Sequence, residues 1–347
     1  MKRIILTLDY ELYGDGSGNV FKDIIEPTER LIFISQKYNI KYTIFVEVVE
    51  FWRIQEEWEN GNRMGYDVNP IEAVKEQLIS AYKKGHDIQL HIHPQWVEAK
   101  YLNGKWAVNK ADWRLGGYQK EGEYSLENLL RKGKKTLEEW IKPIFPEYEC
   151  IALRAGGYNI QPSYDIVKVM QKIGLKIDSS IYPGGYEEGC LSNYDYTNID
   201  EHLAYWNIGD KLEECGTSSI IELPIVAFPI VRIKKYLSFE RVKSFLRNSG
   251  SAKDSFRAKT NSHKRIRDKI AYLFQKEWIT WDFCLFSSSL HIKFLNKIEK
   301  QDRELFVLVG HPKGFVSDKP LIYLLKFVSK RLKNIRVKDF YSECCIN

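Results

Sequence analysis

The chain has 347 residues, of which 44% are hydrophobic, 28% charged and 14% aromatic. These values are ordinary for a globular protein and exclude a disordered, collagen-like or coiled-coil protein. The net charge of +6 permits an anionic partner, but positions 232–269 contain 13 basic and three acidic residues, so this stretch carries +10 and the remainder −4. We therefore expect one basic insertion at about 232–269 in a slightly acidic protein, and no nucleic-acid partner.

Short apolar runs alternate with helical patterns along the chain. Strands are predicted at 3–8, 41–46, 87–93, 150–154, 176–180, 219–223, 304–309 and 334–337, and helices at 27–38, 71–84, 126–140, 162–172 and 319–332. This alternation is typical of right-handed βαβ units. We expect an α/β fold, an irregular parallel (β/α) barrel of about seven or eight strands in a single domain over 1–347, with long loop insertions at 101–123 and 184–217.

Targeting signals and cysteine pairs are not evident. The six cysteines form no C-x-x-C pair, and Asp9 interrupts the first apolar run before it reaches the length of a signal-peptide core. We expect a reducing, cytoplasmic location. The basic insertion is either a solvated helical face or a surface that contacts anionic lipid or a pyrophosphate-linked glycan at the inner membrane face.

Two pairs of polar residues follow predicted strands. Asp9 and Glu11 are two residues apart, as are His91 and His93, so each pair projects to one side of its strand. The acidic pair suits a general base beside a metal ligand, or it caps a turn. The histidines are within reach of a common metal ion, whereas His86, at the start of the same strand, is expected at the surface.

Three further polar residues follow later strands. Arg154 either holds a carboxylate by a bidentate pair or satisfies backbone carbonyls. Asp178 lies in the strand predicted at 176–180, and His311, after a very apolar strand, is placed for general acid catalysis if an acid orients it.

Aromatic residues cluster after the histidine pair. Trp96 and Trp113, together with Trp106 and Tyr118, lie within or beside the loop at 101–123. They either stack on sugar rings or form a local core under the loop.

Taken in order, the segments LTLDYELYG, DIQLHIHPQW, LRAGGYN, KIDSSIYPGG and LFVLVGHPKG resemble the five motifs of the polysaccharide deacetylases, carbohydrate esterase family 4. The resemblance spans about 4–314, and the family fold is an irregular parallel β/α barrel. The chain departs from the family pattern at two places. Tyr10 separates the two acids, and Gln95 stands where the family has its second histidine, so His93 replaces that ligand.

The resemblance also implies roles for individual residues. Asp9 is the catalytic base and Arg154 braces it. Glu11, His91 and His93 hold a divalent ion, zinc above all, with nickel or cobalt as alternatives. His311 is the catalytic acid and Asp178 orients it. Independently of the resemblance, Trp96 and Trp113 are candidate substrate contacts by stacking on sugar, and Tyr158 is a third candidate beside the oxyanion.

The function implied is that of a metal-dependent hydrolase that removes an N-acetyl group from a sugar, free or lipid-linked, in surface-glycan or polysaccharide biosynthesis. Two alternatives stay open. One is a cyclic-amide hydrolase with the same barrel and ion, and the other is a glycan-binding pseudoenzyme without activity.

Overall fold

The structure, a computed structural model, describes residues 1–231 and 274–346. The basic insertion predicted at 232–269 lies outside the described residues. The strands are β1 Arg3–Tyr10, β2 Tyr42–Glu47, β3 Asp87–Ile92, β4 Lys100–Leu102, β5 Lys105–Ala107, β6 Ala152–Ala155, β7 Ile177–Asp178, β8 Tyr186–Glu188, β9 Asn193–Asp195, β10 Trp206–Asn207, β11 Ile221–Glu222, β12 Ala227–Val231, β13 Lys276–Thr280, β14 Leu305–Gly310 and β15 Lys333–Asn334. The α-helices are α1 Glu26–Gln36, α2 Val48–Glu59, α3 Pro70–Lys83, α4 Leu126–Ile141, α5 Tyr164–Ile173, α6 Ser288–Lys300, α7 Asp318–Arg331 and α8 Val337–Ile346.

One large sheet has the strand order β10-β11-β7-β6-β3-β2-β1-β14, and β15 also pairs with β1. The pairs from β11 to β14 are parallel, whereas β10 runs antiparallel to β11. Strands β2, β3 and β14 are buried along their whole length, and β1 along nearly all of it. The apolar runs of β1 and β14 are nearly continuous, as expected for parallel strands covered on both faces.

The sheet curls into an open half-barrel surrounded by helices, so the predicted α/β class and irregular barrel are confirmed. Two isolated parallel bridges, Ile225 with Val307 and Asp282 with Val309, occupy the outer edge of β14. The carboxyl ends of parallel strands meet at one edge of such a sheet, which is where α/β folds carry their sites.

Helix boundaries follow ordinary capping chemistry. The Asn69 side chain accepts a hydrogen bond from the Ile71 N–H, and Pro70 occupies the first turn of α3. Helix α5 ends at Gly174, whose φ of 78° is left-handed and suits glycine. The predicted helices at 71–84 and 162–172 correspond to these two elements.

Three local predictions were incomplete or wrong. Helix α2 was not predicted because it follows β2 without a turn and begins with two β-branched valines, and its cap is the Glu47 carboxylate. The strand predicted at 334–337 is shorter, since Val337 begins α8. His86 is fully buried and accepts the Tyr42 N–H at 2.9 Å, although the sequence suggested a surface position.

The long loops carry small hairpins. Strands β4 and β5 pair within the first loop, and β8 and β9 pair within the second. None of the helices in the described residues has the length and apolar composition needed to span a membrane.

Candidate metal centre

A cluster of one carboxylate and two imidazoles lies at the carboxyl ends of β1 and β3. Glu11, His91 and His93 are buried, and their ligand atoms lie within 4.8 Å of one another. Glu11 Oε2 is 2.6 Å from His93 Nε2 and 3.4 Å from His91 Nε2. The two imidazole rings are nearly perpendicular, at 85°. The structure thus brings together the three residues that the sequence predicted as metal ligands.

The hydrogen bonding of His91 tests whether this cluster fits a cation. Its Nδ1 is 2.9 Å from the carbonyl oxygen of Arg154, which can only accept, so Nδ1 carries the hydrogen. In the neutral ring, Nε2 then presents its lone pair towards Glu11 Oε2, and this buried nitrogen has no hydrogen-bond partner. Two facing lone pairs are resolved by a cation, or by a proton, between them. The donor set therefore fits a divalent ion.

Gln95 contacts the cluster from outside. Its amide is 2.9 Å from His93 Nδ1, and its Oε1 is buried without a partner. With the amide rotated by 180°, Oε1 accepts from Nδ1–H and the His93 Nε2 lone pair is left for the ion. Gln95 therefore acts on the orientation of His93 rather than taking the place of a third nitrogen ligand.

Burial and the neighbouring charged groups determine the charge states of Glu11 and His93. Burial raises the pKa of Glu11, but Lys313 and the two histidines lower it by a larger amount. The net pKa therefore lies well below its usual range. Burial lowers the pKa of His93, and Glu11 offsets only part of that effect. An anionic carboxylate beside a neutral imidazole is the protonation state that a metal site needs.

Lys313 was not recognised in the sequence. Its Nζ donates to Glu11 Oε1 at 2.8 Å and to the Leu12 carbonyl at 2.6 Å. This contact occupies Oε1 and leaves Oε2 for the histidines. The signal that could have revealed Lys313 is a cation two residues after His311, at the end of an apolar strand that lies beside β1.

Asp9 is held by Arg154, the contact that the sequence predicted. Arg154 is fully buried, and its Nη1 donates to Asp9 Oδ1 at 2.6 Å and to Thr7 Oγ1 at 2.7 Å. Its Nε and Nη2 donate to the carbonyl and hydroxyl oxygens of Ser179 at 2.8 and 2.9 Å. The guanidinium is thereby fixed on four acceptors, and it fixes one oxygen of Asp9.

The charge of Asp9 follows from the same neighbours. Burial raises its pKa, but Arg154, His91 and His311 lower it more, so Asp9 is ionised at neutral pH. Its free oxygen, Oδ2, lies 3.5 Å from His311 Nε2. A carboxylate and an imidazole are thus next to each other beside the candidate metal ligands, as a base and an acid would be.

The partner of His311 is Asp282. His311 Nδ1 is 2.8 Å from Asp282 Oδ2, and Asp282 Oδ1 accepts the Cys284 N–H at 3.0 Å. Burial lowers the pKa of His311, but Asp282 and Asp9 outweigh it and the net pKa is raised. The histidine side chain is 22% exposed, so the remaining ring edge is accessible.

The predicted pairing of Asp178 with His311 is wrong. Asp178 accepts from the backbone N–H and the hydroxyl of Ser180, both at 2.9 Å, and faces Glu222 in register on β11. Ser180 Oγ in turn accepts the Ala155 N–H at 2.8 Å. Asp178 therefore supports the strand end that carries Arg154, and burial raises its pKa to about 6.

Two further buried carboxyl groups were not singled out in the sequence. Glu47 lies opposite His91 in the β2–β3 register, and Glu50 accepts the Leu12 N–H. Burial raises the pKa of both well above the usual range, the Glu11 charge adds to the effect at both, and Glu50 adds to it at Glu47. The neutral form of both is therefore favoured more than in an exposed glutamate.

The tryptophans predicted to bind sugar belong to the core. Trp96 is 1% exposed and packs edge-on against Trp106, and Trp113 is 7% exposed and lies against Gly14. Neither offers a free indole face, which corrects that prediction. Tyr158 is partly exposed, and its hydroxyl is 3.1 Å from Thr280 Oγ1.

Comparisons of the sequence with known proteins do not assign the chain to a family. No family model matches the chain, and no curated protein matches it. A solved structure from Mycobacterium smegmatis, proposed to be a polysaccharide deacetylase, is similar at 14% identity and a TM-score of 0.49, over 99% of this chain and 90% of that chain. A GH57 branching enzyme from Thermococcus kodakaraensis is similar at 10% identity and a TM-score of 0.45, over 99% and 71% of the two chains. The side chains of the site carry the functional assignment.

Proposed function

We propose that this protein is a metal-dependent hydrolase that removes an N-acetyl group from a sugar. One observation carries the proposal: an ionised Asp9 and a His311 held by Asp282 lie together against a buried Glu11–His91–His93 cluster. Amide hydrolysis needs a base for water and an acid for the leaving amine. The resemblance of the five segments to polysaccharide deacetylase motifs supports the same reaction.

Glu11, His91 and His93 would hold the ion. Two imidazoles and one carboxylate are a donor set that suits zinc and leaves a position open, and nickel or cobalt accept the same ligands. When bound, such an ion polarises an amide carbonyl and lowers the pKa of water. Lys313 keeps Glu11 in place by binding its other oxygen.

Asp9 is the base. Arg154 binds Oδ1 and leaves Oδ2 to accept the proton of the attacking water. Because Arg154 is itself fixed by Ser179 and Thr7, the Asp9 carboxylate is held in one orientation. The lowered pKa of Asp9 keeps it ionised before the reaction begins.

His311 is the acid. Asp282 binds Nδ1, so Nε2 is the nitrogen that donates a proton to the leaving amine. Asp282 also stabilises the protonated ring, which an acid must have at the start of the reaction. The substrate we propose is an N-acetylated saccharide of surface-glycan assembly, free or lipid-linked, processed in the cytoplasm.

The test is acetate release by the purified full chain from UDP-linked and lipid-linked N-acetyl sugars, with added Zn²⁺, Ni²⁺ or Co²⁺. We expect Asp9→Asn and His311→Ala each to lower kcat by roughly 10²- to 10⁴-fold. We expect His91→Ala to abolish stoichiometric metal binding, whereas replacement of the exposed His202 by alanine leaves both readouts unchanged.

Three results contradict the proposal. Near-normal turnover by either catalytic variant removes the assigned roles. Hydrolysis of ring amides without acetate release indicates the cyclic-amide alternative. Failure to bind any of the three ions indicates a glycan-binding protein without activity.

A further inference from the structure

The turn after β14 carries a lysine whose side chain reaches the end of β1. Lys313 is the middle residue of the single 3₁₀ turn Pro312–Gly314. The residues after β14 lie next to those after β1 because the two strands are parallel neighbours. The Lys313 ammonium donates to the Leu12 carbonyl at 2.6 Å as well as to Glu11 Oε1 at 2.8 Å. It therefore bridges the candidate metal ligand and the backbone that follows it.

Several contacts hold Lys313 in this position. Its side chain is only 14% exposed, and its Nζ lies 5.3 Å from the centre of the Tyr13 ring. The Tyr13 hydroxyl donates to the Lys313 carbonyl at 3.1 Å, so one tyrosine contacts both ends of the lysine. The Leu12 N–H donates to the Glu50 carboxyl at 2.9 Å, which fixes the backbone that accepts the ammonium. The ammonium is therefore a constant part of the site.

The two oxygens of Glu11 have different surroundings as a result. Oε2 lies 2.6 Å from His93 Nε2 and 3.4 Å from His91 Nε2, whereas Oε1 accepts the Lys313 ammonium. A positive charge 2.8 Å from Oε1 repels a divalent ion that approaches the same oxygen. An ion held by the two histidines is therefore restricted to one oxygen of the carboxylate.

The number of available carboxylate oxygens affects which ions the cluster prefers. One oxygen and two imidazole nitrogens make three protein ligands, the number that suits four-coordinate zinc with one open position. Mn²⁺ favours six ligands that are mostly oxygen, so it gains from a carboxylate that binds through both of its oxygens. A residue that withholds one oxygen of Glu11 therefore disfavours Mn²⁺ more than Zn²⁺.

We infer that Lys313 determines the metal specificity of this site: it selects zinc over six-coordinate ions such as Mn²⁺ by restricting Glu11 to binding through one oxygen. This inference rests on the metal site of the proposed function. Lys313 acts through Glu11 and takes no part in proton transfer, so it is a positioning residue. Without its ammonium, Oε1 is released and both oxygens of Glu11 can bind the ion.

The test measures the affinities of the full chain for Zn²⁺ and for Mn²⁺, each by equilibrium dialysis against a competing chelator, in the wild type and in Lys313→Met. Methionine keeps the apolar part of the side chain and removes the charge. Because loss of a cation beside the cluster strengthens the binding of both ions, the ratio of the two affinities is decisive. We expect the preference for Zn²⁺ over Mn²⁺ to fall by roughly tenfold or more. Lys313→Arg keeps a cationic donor for Oε1 and should retain most of the preference.

The visible absorption of the Co²⁺-loaded protein is a second readout, which reports coordination number directly. Four-coordinate Co²⁺ absorbs strongly because a tetrahedral site has no centre of symmetry, whereas six-coordinate Co²⁺ absorbs weakly. We expect a strong band per bound ion in the wild type and a weaker band in Lys313→Met. A lysine that only supported the fold would change all the affinities in proportion and would leave this band unchanged.

The matched control is Lys338→Met. The Lys338 ammonium also lies over a tyrosine ring, 4.3 Å from the centre of Tyr82, and donates to the hydroxyl of that residue at 3.3 Å. Its backbone N–H donates to Asp87 at the beginning of β3, the opposite end of that strand from His91. We expect this variant to keep the wild-type affinity ratio and Co²⁺ band.

An unchanged affinity ratio in Lys313→Met overturns the inference, as does an unchanged Co²⁺ band. A wild type that binds none of these ions overturns it together with the proposed metal centre. Acetate release by the zinc-loaded wild type is measured in parallel. Its absence contradicts deacetylation, while the affinity ratio still decides the role of Lys313.

Discussion

Gly156 determines how closely His93 can lie to the rest of the site. A Cβ at this position would be 2.3 Å from both Nδ1 and Cε1 of the His93 ring. The backbone of Gly156 does not have a positive φ, so the obstacle to a larger residue is space alone. Gly156, two residues after Arg154, is thus part of the candidate metal centre, because the His93 ring packs directly against its backbone.

We therefore predict that Gly156→Ala weakens zinc binding. The methyl group must displace the His93 ring from Glu11 and from Gln95, and disruption of such supporting contacts costs roughly 10- to 100-fold in metal affinity. Equilibrium dialysis against a competing chelator measures this. The control is Gly189→Ala, where the nearest atom to the new Cβ, the Ser192 carbonyl oxygen, is 3.5 Å away. Equal zinc affinity of Gly156→Ala and wild type would falsify the prediction.

Asp282 and Asp178 allow a direct comparison of two carboxylates. We predict that Asp282→Asn lowers kcat roughly 10²-fold or more, because His311 loses the partner that orients its ring and raises its pKa. Asp178→Asn should lose less activity than Asp282→Asn, since Asp178 bonds to Ser180 and makes no contact with His311. Zinc content should be unchanged in both variants. A larger loss for Asp178→Asn than for Asp282→Asn would return the orienting role to Asp178.

At the level of elements, the alternation of side chains along a strand was sufficient to predict the part of the site that β1 and β3 contribute. The pattern in β1 and β3 predicted that Asp9 and Glu11, and His91 and His93, project to common sides, and the structure brings them together. These residues are two apart on single strands, so no long-range information is needed. Strands β1, β2 and β3 then lie side by side, as consecutive βαβ units usually do.

The contacts of Asp282 and Lys313 in the site depend on which distant segments of the chain become neighbours in the fold. Asp282 reaches His311 because the chain after β13 bridges to β14, and Lys313 reaches Glu11 because β14 pairs with β1. Neither pairing is encoded in a local pattern.

At the scale of the whole molecule, early and late parts of the chain form one sheet. Strand β1 lies between β2 and β14, and β15 also pairs with it. Helix α8 contacts the other end of the sheet, where the Val337 N–H donates to Thr43 Oγ1 at 2.9 Å. Since the central strand is completed only by segments more than 300 residues later, protonation of buried groups in distant elements acts on the stability of the same sheet.

Two buried histidines make this stability dependent on pH. His86 Nδ1 accepts the Tyr42 N–H at 2.9 Å, and His291 Nδ1 accepts the Trp281 indole N–H at 3.0 Å. Neither donor can accept, so each ring must be neutral to keep its bond. Burial above all lowers the pKa of both histidines to about 3. The unfolded chain, with ordinary imidazoles near pH 6.5, therefore binds about two more protons below that pH.

We predict that the double variant His86→Asn, His291→Asn resists acid better than the wild type. Each wild-type histidine lowers the free energy of unfolding by roughly 1.4 kcal/mol per pH unit as pH falls from about 6.5 towards 3, which is roughly 2 kcal/mol each at pH 5, with no effect above pH 7. Asparagine keeps an acceptor oxygen for the buried N–H donors without this penalty. Chemical denaturation from pH 7.5 to 5 measures the difference, with His202→Asn as the exposed control. Buried carboxyl groups such as Glu222 titrate in both proteins. The deciding quantity is therefore the difference between the free energies of unfolding of variant and wild type at each pH. A difference that does not change with pH would show that these histidines do not cause the loss of stability in acid.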